Sequence, residues 1–186
     1  NLNMPHGIAF IDGAVLIGDK VGVHKYPYSD DGKVTPFSSV LLTPLGALGP
    51  PDMRFHWARN VVVHPDGLKF YVGVGSASNI GENPLPHGTI QEFPIEGGVG
   101  RAFASGMRVP TGVLFYPGTT DLYTVVNERD RQGDELVPDY FTRVPEGAFF
   151  GWPYSYMGSN PQPGFADKRP DLVAKAIKPD VPFLSH

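Results

Sequence analysis

The chain has 186 residues with 23 Gly, 20 Pro and 41% apolar residues, enough to bury a core and too rich in turn formers for a helical bundle. Its formal net charge is −4 and no stretch gathers Lys or Arg, which excludes the electrostatic footprint of a nucleic-acid or anionic-membrane binder. The absence of Cys excludes disulfides, thiolate metal sites and cysteine nucleophiles, and leaves cytoplasm and periplasm equally open.

In chain order, the first predicted unit is an apolar strand over residues 5–10, a turn at 11–13 containing Asp12-Gly13, a second strand at 15–17 and an alternating stretch at 21–26. The plan recurs with a strand at 59–64, the turn His64-Pro65-Asp66-Gly67, a strand at 69–74 and an alternating stretch at 88–93. It recurs again with a strand at 110–115, the turn Tyr116-Pro117-Gly118-Thr119, a strand at 122–126 and an outer strand at 139–144. A period of about 52 residues is close to that of propeller blades and far from helical solenoids. The reading is an all-β chain with approximate blades at 1–55, 56–107 and 108–150, and a Pro- and aromatic-rich crossover at 151–186. A β-sandwich carrying three hairpins is the competing arrangement. Three blades do not close a ring, so the remainder of a propeller is an expected partner. The crossover is either a functional surface excursion or an inert link, with a short helix at 171–176. No apolar run is long enough to span a membrane. No leader is visible; the chain opens on Asn, not Met, so the sequence leaves its compartment open.

Polar residues gather where inner strands meet the channel: His56, Arg59 and Asn60 before one strand, Ser76 to Asn79 after its hairpin, and Arg108 before the next unit. His56 has the side chain suited to proton abstraction near neutral pH, with a structural role as the alternative. Its odd offset from Arg59 places the two on opposite faces of an extended chain. His6, His24, His64 and His87 fall in turns or outer strands, where solvent-facing roles suffice, and His186 is left unassigned. The densest feature is the loop Asn127-Glu128-Arg129-Asp130-Arg131-Gln132-Gly133-Asp134-Glu135. Its carboxylates and carbonyls are the oxygen ligands that Ca²⁺ prefers, although the spacing is not that of an EF-hand. The alternative is a solvated turn in which Arg129 and Arg131 neutralise Glu128, Asp130 and Asp134. No phosphate loop, glycosidase pair or nucleophile elbow is present.

Phe103 to Gly112, Asn127-Glu128-Arg129-Asp130, Gly133 to Tyr140 and Gly151-Trp152-Pro153-Tyr154-Ser155-Tyr156 resemble the sorbosone dehydrogenase branch of the soluble glucose dehydrogenases. His56-Trp57-Ala58-Arg59, His64-Pro65-Asp66-Gly67, Val74 to Asn79 and Arg169 to Ala174 extend the resemblance over nearly the whole chain. It implies a six-bladed β-propeller, of which this chain holds about three blades, and a sugar dehydrogenase using pyrroloquinoline quinone (PQQ) and Ca²⁺. It implies His56 as the general base that takes the sugar hydroxyl proton while hydride passes to the quinone. Arg59, Arg108, Asn127, Glu128, Arg129 and Asp130 are implied in cofactor binding. Arg129 and Asp130, through carbonyls, and Asp134 and Glu135, through carboxylates, are the implied metal ligands. A sugar substrate, an external electron acceptor and a periplasmic or secreted location complete the expectation. The family's Arg-Asn-Pro is here Arg108-Val109-Pro110, which removes an amide expected near the cofactor. Two alternatives stand beside this reading: a non-catalytic propeller that binds sugars or proteins, and a metal-dependent lactonase-like hydrolase.

Overall fold

The computed structural model describes residues 2–29, 31–35, 38–44, 46–49 and 55–183, so His186 lies outside the described residues. The first sheet contains β1 (Gly7–Ile11), β2 (Ala14–Gly18), β3 (Val23–Pro27) and the short β4 (Val40–Leu41) as an antiparallel meander. The second contains β5 (Val61–Val63), β6 (Lys69–Val74), β7 (Thr89–Pro94) and β8 (Arg101–Ser105) in the same order. The third begins with β9 (Val109–Phe115), β10 (Leu122–Asn127) and β11 (Tyr140–Arg143). An excursion then carries a small hairpin, β12 (Ser155–Tyr156) and β13 (Asn160–Pro161), a 3₁₀ turn (Ala166–Lys168) and α1 (Pro170–Val173). It returns as β14 (Val181–Pro182), which pairs with β11 as the fourth strand of the third sheet. The Pro-rich stretch therefore opens and closes inside one sheet. Its helix is shorter than the expected 171–176, because Pro170 can start a helix at N1 but no residue of α1 is buried to extend it.

The inner strands succeed one another in space, β1 against β5 and β5 against β9, which gives three four-stranded blades of a β-propeller. Between the first two blades lies one apolar layer, with Leu16, Val23, Leu42, Leu48, Phe70, Val72, Val74 and Phe93. Between the second and third lies another, with Tyr71, Ile90, Met107, Leu122, Val126, Tyr140 and Phe150. Strand β6 feeds Phe70, Val72 and Val74 to the first layer and Tyr71 to the second, so it is buried on both faces and reads as a continuous apolar run. Close approach of neighbouring blades demands Gly73, where an added Cβ would sit 2.6 Å from the Pro110 carbonyl oxygen. Among the described residues no helix is long and apolar enough to cross a membrane.

Candidate functional site

In each of the second and third blades, the start of the inner strand and the end of the next strand lie at one end of the sheet, because the two are antiparallel. That geometry brings His56 and residues 77–79 together with Arg108 and residues 130–131. A cavity of about 490 Å³ opens there, lined by Phe55, His56, Ala77, Ser78, Asn79, Arg108, Asp130 and Arg131. Its size is in the range of small-molecule sites.

His56 occupies a left-handed turn with φ 50°. Its Nδ1 lies 2.7 Å from the Ser76 carbonyl oxygen and 3.2 Å from Ser76 Oγ, and that hydroxyl itself donates to the Ser78 carbonyl at 2.6 Å. A carbonyl only accepts, so Nδ1 carries the proton and Nε2 of the neutral ring carries the lone pair. Burial lowers the imidazole pKa, aided by the charges of Arg108 and Arg59 and opposed by the Ser76 bond and Asp130. The neutral, proton-accepting form is thereby favoured.

Arg108 is buried, and its guanidinium ties the rim together. Nε donates to the Asn79 carbonyl at 3.1 Å, one terminal nitrogen to the Glu128 carbonyl at 2.7 Å, and the other reaches the Asp130 carboxylate at 3.4 Å. Asn79 completes the bridge between blades. Its amide oxygen accepts from the Asp130 N–H at 2.9 Å and its amide nitrogen donates to the Asp130 carbonyl at 3.0 Å. The excursion braces the same loops, since Trp152 donates to the Asn79 carbonyl at 3.4 Å, Tyr154 to Glu82 at 2.9 Å and Gln162 to Gln132 at 2.7 Å. The Asp139 carboxylate holds the start of the 127–135 loop, accepting from Asn127 Nδ2 at 2.6 Å and the Glu128 N–H at 2.7 Å.

Several expected contacts fall elsewhere. Arg59 is fully buried and spends its guanidinium on main-chain carbonyls, so it cannot touch a ligand in the cavity. The Asn127 amide is turned onto Asp139. Glu128 lies buried under Arg108 and does not line the cavity, and burial pushes its carboxyl up to about 8 against the pull of the Arg129 N–H and the Arg108 charge. Asp134 and Glu135 are exposed and stand outside the cavity. His87 is buried, with Nδ1 3.2 Å from the Gly75 carbonyl, where a solvent-facing side chain was expected. Asn79 was placed at the channel by the sequence but without its partner, and Arg131 was read only as neutralising its own loop. Asn79 meets Asp130 across 51 positions of chain, a pairing that local pattern does not encode.

Carbonyls of the 127–135 loop are committed to N–H donors. The Asp130 carbonyl accepts from Asn79 and from Arg129 Nε at 3.2 Å, the Arg131 carbonyl from Arg129 at 3.2 Å, and the Glu128 carbonyl from Arg108. Ca²⁺ takes six to eight oxygens, roughly. Here guanidinium and amide N–H groups already hold the carbonyls of 128, 130 and 131, and no three His, Asp or Glu side chains converge among the described residues. Of the implied ligands, the Asp130 carbonyl is taken and the Asp134 and Glu135 carboxylates stand outside the cavity, which leaves the Arg129 carbonyl, so this chain's own oxygens, as arranged, do not make up the cation's shell. The cavity wall instead carries two guanidinium groups, Arg108 and Arg131, beside a neutral imidazole, with the Asp130 carboxylate paired to Arg108 on the same wall.

No family model matches the chain. An uncharacterized protein of Borreliella burgdorferi is 27% identical over 120 residues, covering 64% of this chain and 32% of that protein. A Trichoderma reesei enzyme of carbohydrate-active family AA12 is similar in its iodide and calcium structures. The TM-scores are 0.78 and 0.77 and the identities 18% and 17%, over 97% of this chain and 56% of that one. The holo pyranose dehydrogenase PQQ domain from Coprinopsis cinerea has a TM-score of 0.58 at 16% identity, over 100% of this chain and 66% of that one. The chain thus spans about half the length of the Trichoderma structure and a third of the Borreliella protein. At these identities the likeness is one of fold, and the fold is a β-propeller of which this chain forms three blades.

Proposed function

We propose that the chain carries the base-bearing wall of a quinone-dependent sugar oxidoreductase, in which the cavity accepts PQQ and a sugar hydroxyl. The observation that carries this reading is the meeting, on one cavity wall, of a proton-accepting His56 Nε2 with the Arg108 guanidinium. The two similar fungal structures lend support, one an AA12 enzyme and the other a pyranose dehydrogenase PQQ domain in holo form.

A planar tricarboxylate suits a wall bearing Arg108 and Arg131, with Ser78 and Asn79 to orient it. When bound, the quinone would supply the two-electron acceptor for the hydride leaving the sugar carbon. The chain's own contribution is the proton: the Ser76 carbonyl fixes His56 Nδ1 as donor, and Nε2 removes the hydroxyl proton as the carbon–oxygen double bond forms. Burial keeps the ring neutral beforehand, and Asp130 stabilises the imidazolium that results. The sorbosone type of substrate and a periplasmic or secreted location belong to this reading through the sequence motifs around Arg108 and Trp152.

The test is reconstitution of the full-length protein with PQQ, with and without a calcium chelator, following sugar-dependent reduction of an artificial electron acceptor. Turnover is expected in both arms, and His56→Ala lowers it by about 10²–10⁴. Absence of both quinone binding and turnover supports a non-catalytic binding module instead.

A further inference from the structure

Arg59 is fully buried, yet among the described residues its hydrogen bonds go to main-chain carbonyls and none to a carboxylate. A buried cation ordinarily has a counter-ion or gives up its charge. Arg59 has neither the exposure to reach the cavity nor an acidic partner among the described residues, and burial alone lowers its pKa to about 10. Its donors are arranged in a fork. One terminal nitrogen donates to the His56 carbonyl at 2.7 Å and to the Ala58 carbonyl at 2.9 Å, and the other to the Leu48 carbonyl of the first blade at 2.8 Å. Residue 56 is where the chain needs holding, because His56 sits at φ 50°, a region that only a few per cent of non-glycine residues adopt, even though His enters it more readily than most. The same turn decides which way the imidazole points.

We propose that Arg59 is a positioning residue: through the His56 carbonyl its guanidinium holds the left-handed turn, and so fixes the imidazole with Nδ1 on Ser76 and Nε2 toward the cavity. Lys cannot replace it, since a single ammonium lacks the planar fork that spans carbonyls 48, 56 and 58. The charged groups that act on the ring are Arg59, three residues on, Arg108 just before β9 and Asp130 from the loop after β10. The value of this arrangement for catalysis rests on the reading of His56 as the base, whereas the positioning itself does not.

The experiment is ¹⁵N NMR of the histidine side chains in the full-length protein, with His56 assigned by the signal missing from His56→Gln. In the parent protein His56 is expected as the Nδ1–H tautomer. In Arg59→Lys, which keeps the charge but loses the fork, the His56 signals are expected to move toward a mixture of tautomers while those of His24, His64 and His87 stay in place. The accompanying kcat falls about 10²-fold with KM little changed. A His56 tautomer and titration identical to the parent's, whatever the loss of thermal stability, overturns the proposal and leaves Arg59 a packing residue. Should Arg59→Lys fail to fold, His56→Gly provides the second test. Glycine adopts the left-handed turn without help, so folding of the double variant is expected to recover, and a double variant equally impaired overturns the proposal. A protein that binds no quinone sinks the proposed function without touching the His56 spectrum, so the two failures are distinguishable.

Discussion

Gly75→Ala is the sharpest perturbation of the cavity wall. The backbone of Gly75 is not in the left-handed region, so Ala meets no conformational penalty there. What it meets is His56: the new Cβ would lie 2.6 Å from His56 Cβ and 3.2 Å from Val109 Cγ1. Ordinary contact begins near 3.4 Å, so the His56 side chain must retreat by about 0.8 Å. The contact is with the root of the side chain, which cannot swing away as a flexible tip could. Overpacking of this kind lowers stability by roughly 1–3 kcal/mol, and a misplacement near 1 Å at a reacting group lowers rate by about 10². The assay is steady-state turnover with PQQ, alongside thermal unfolding. A folded variant with kcat down about 100-fold is expected. A folded variant with parental kcat would refute the claim that His56 works from this position.

The pH dependence of kcat/KM provides a second prediction. His56 must be neutral to accept a proton, and its pKa is depressed chiefly by burial. Activity should therefore rise with pH and level off on an acid limb whose midpoint lies below the ordinary imidazole value of 6.5; a midpoint above that value would count against the assignment. Asp19 supplies a third. Burial raises its pKa, but the N–H groups of Asn3, Gly22 and Val21, with His24 nearby, together hold it below the ordinary value. A depressed carboxylate stabilises the fold above its unfolded pKa, near 4, and that contribution is lost as pH falls through the folded value. Asp19→Ala should lower stability at pH 7 by about 1–3 kcal/mol and flatten the acid side of a melting-temperature profile; an unchanged profile would contradict the account.

Much of the fold was legible because strands with two buried faces or strict alternation announce themselves. The predicted 69–74 strand coincides with β6, and the hairpin turns at Gly13 and Gly67 require the positive φ that their glycines provide. Strands β4, β8 and β14 were not foreseen. The first and last are two residues long, and β8, Arg101-Ala102-Phe103-Ala104-Ser105, has no clear alternation and pairs across a bulge. The site was legible as a set of segments, because antiparallel strands force 56, 76–79, 108 and 130 to one end. The direction of each side chain was not. Arg59 reads as a channel cation in reach of the cofactor until Leu48 of another blade is seen to claim it, and Asn127 reads as a cavity amide until Asp139 captures it. Of the two carbonyls expected for Ca²⁺, that of Asp130 is held by Asn79 and Arg129, of which the first comes from 51 residues away.

The central claim is that His56 and Arg108 share one cavity that receives an anionic quinone. Its most direct test is an equilibrium titration of PQQ into the full-length protein and its Arg108→Gln variant at fixed salt. Saturable binding in the parent, weakened about tenfold to a hundredfold by loss of the guanidinium, is the predicted result. Equal affinity in the two proteins, or no binding to the parent, would contradict it.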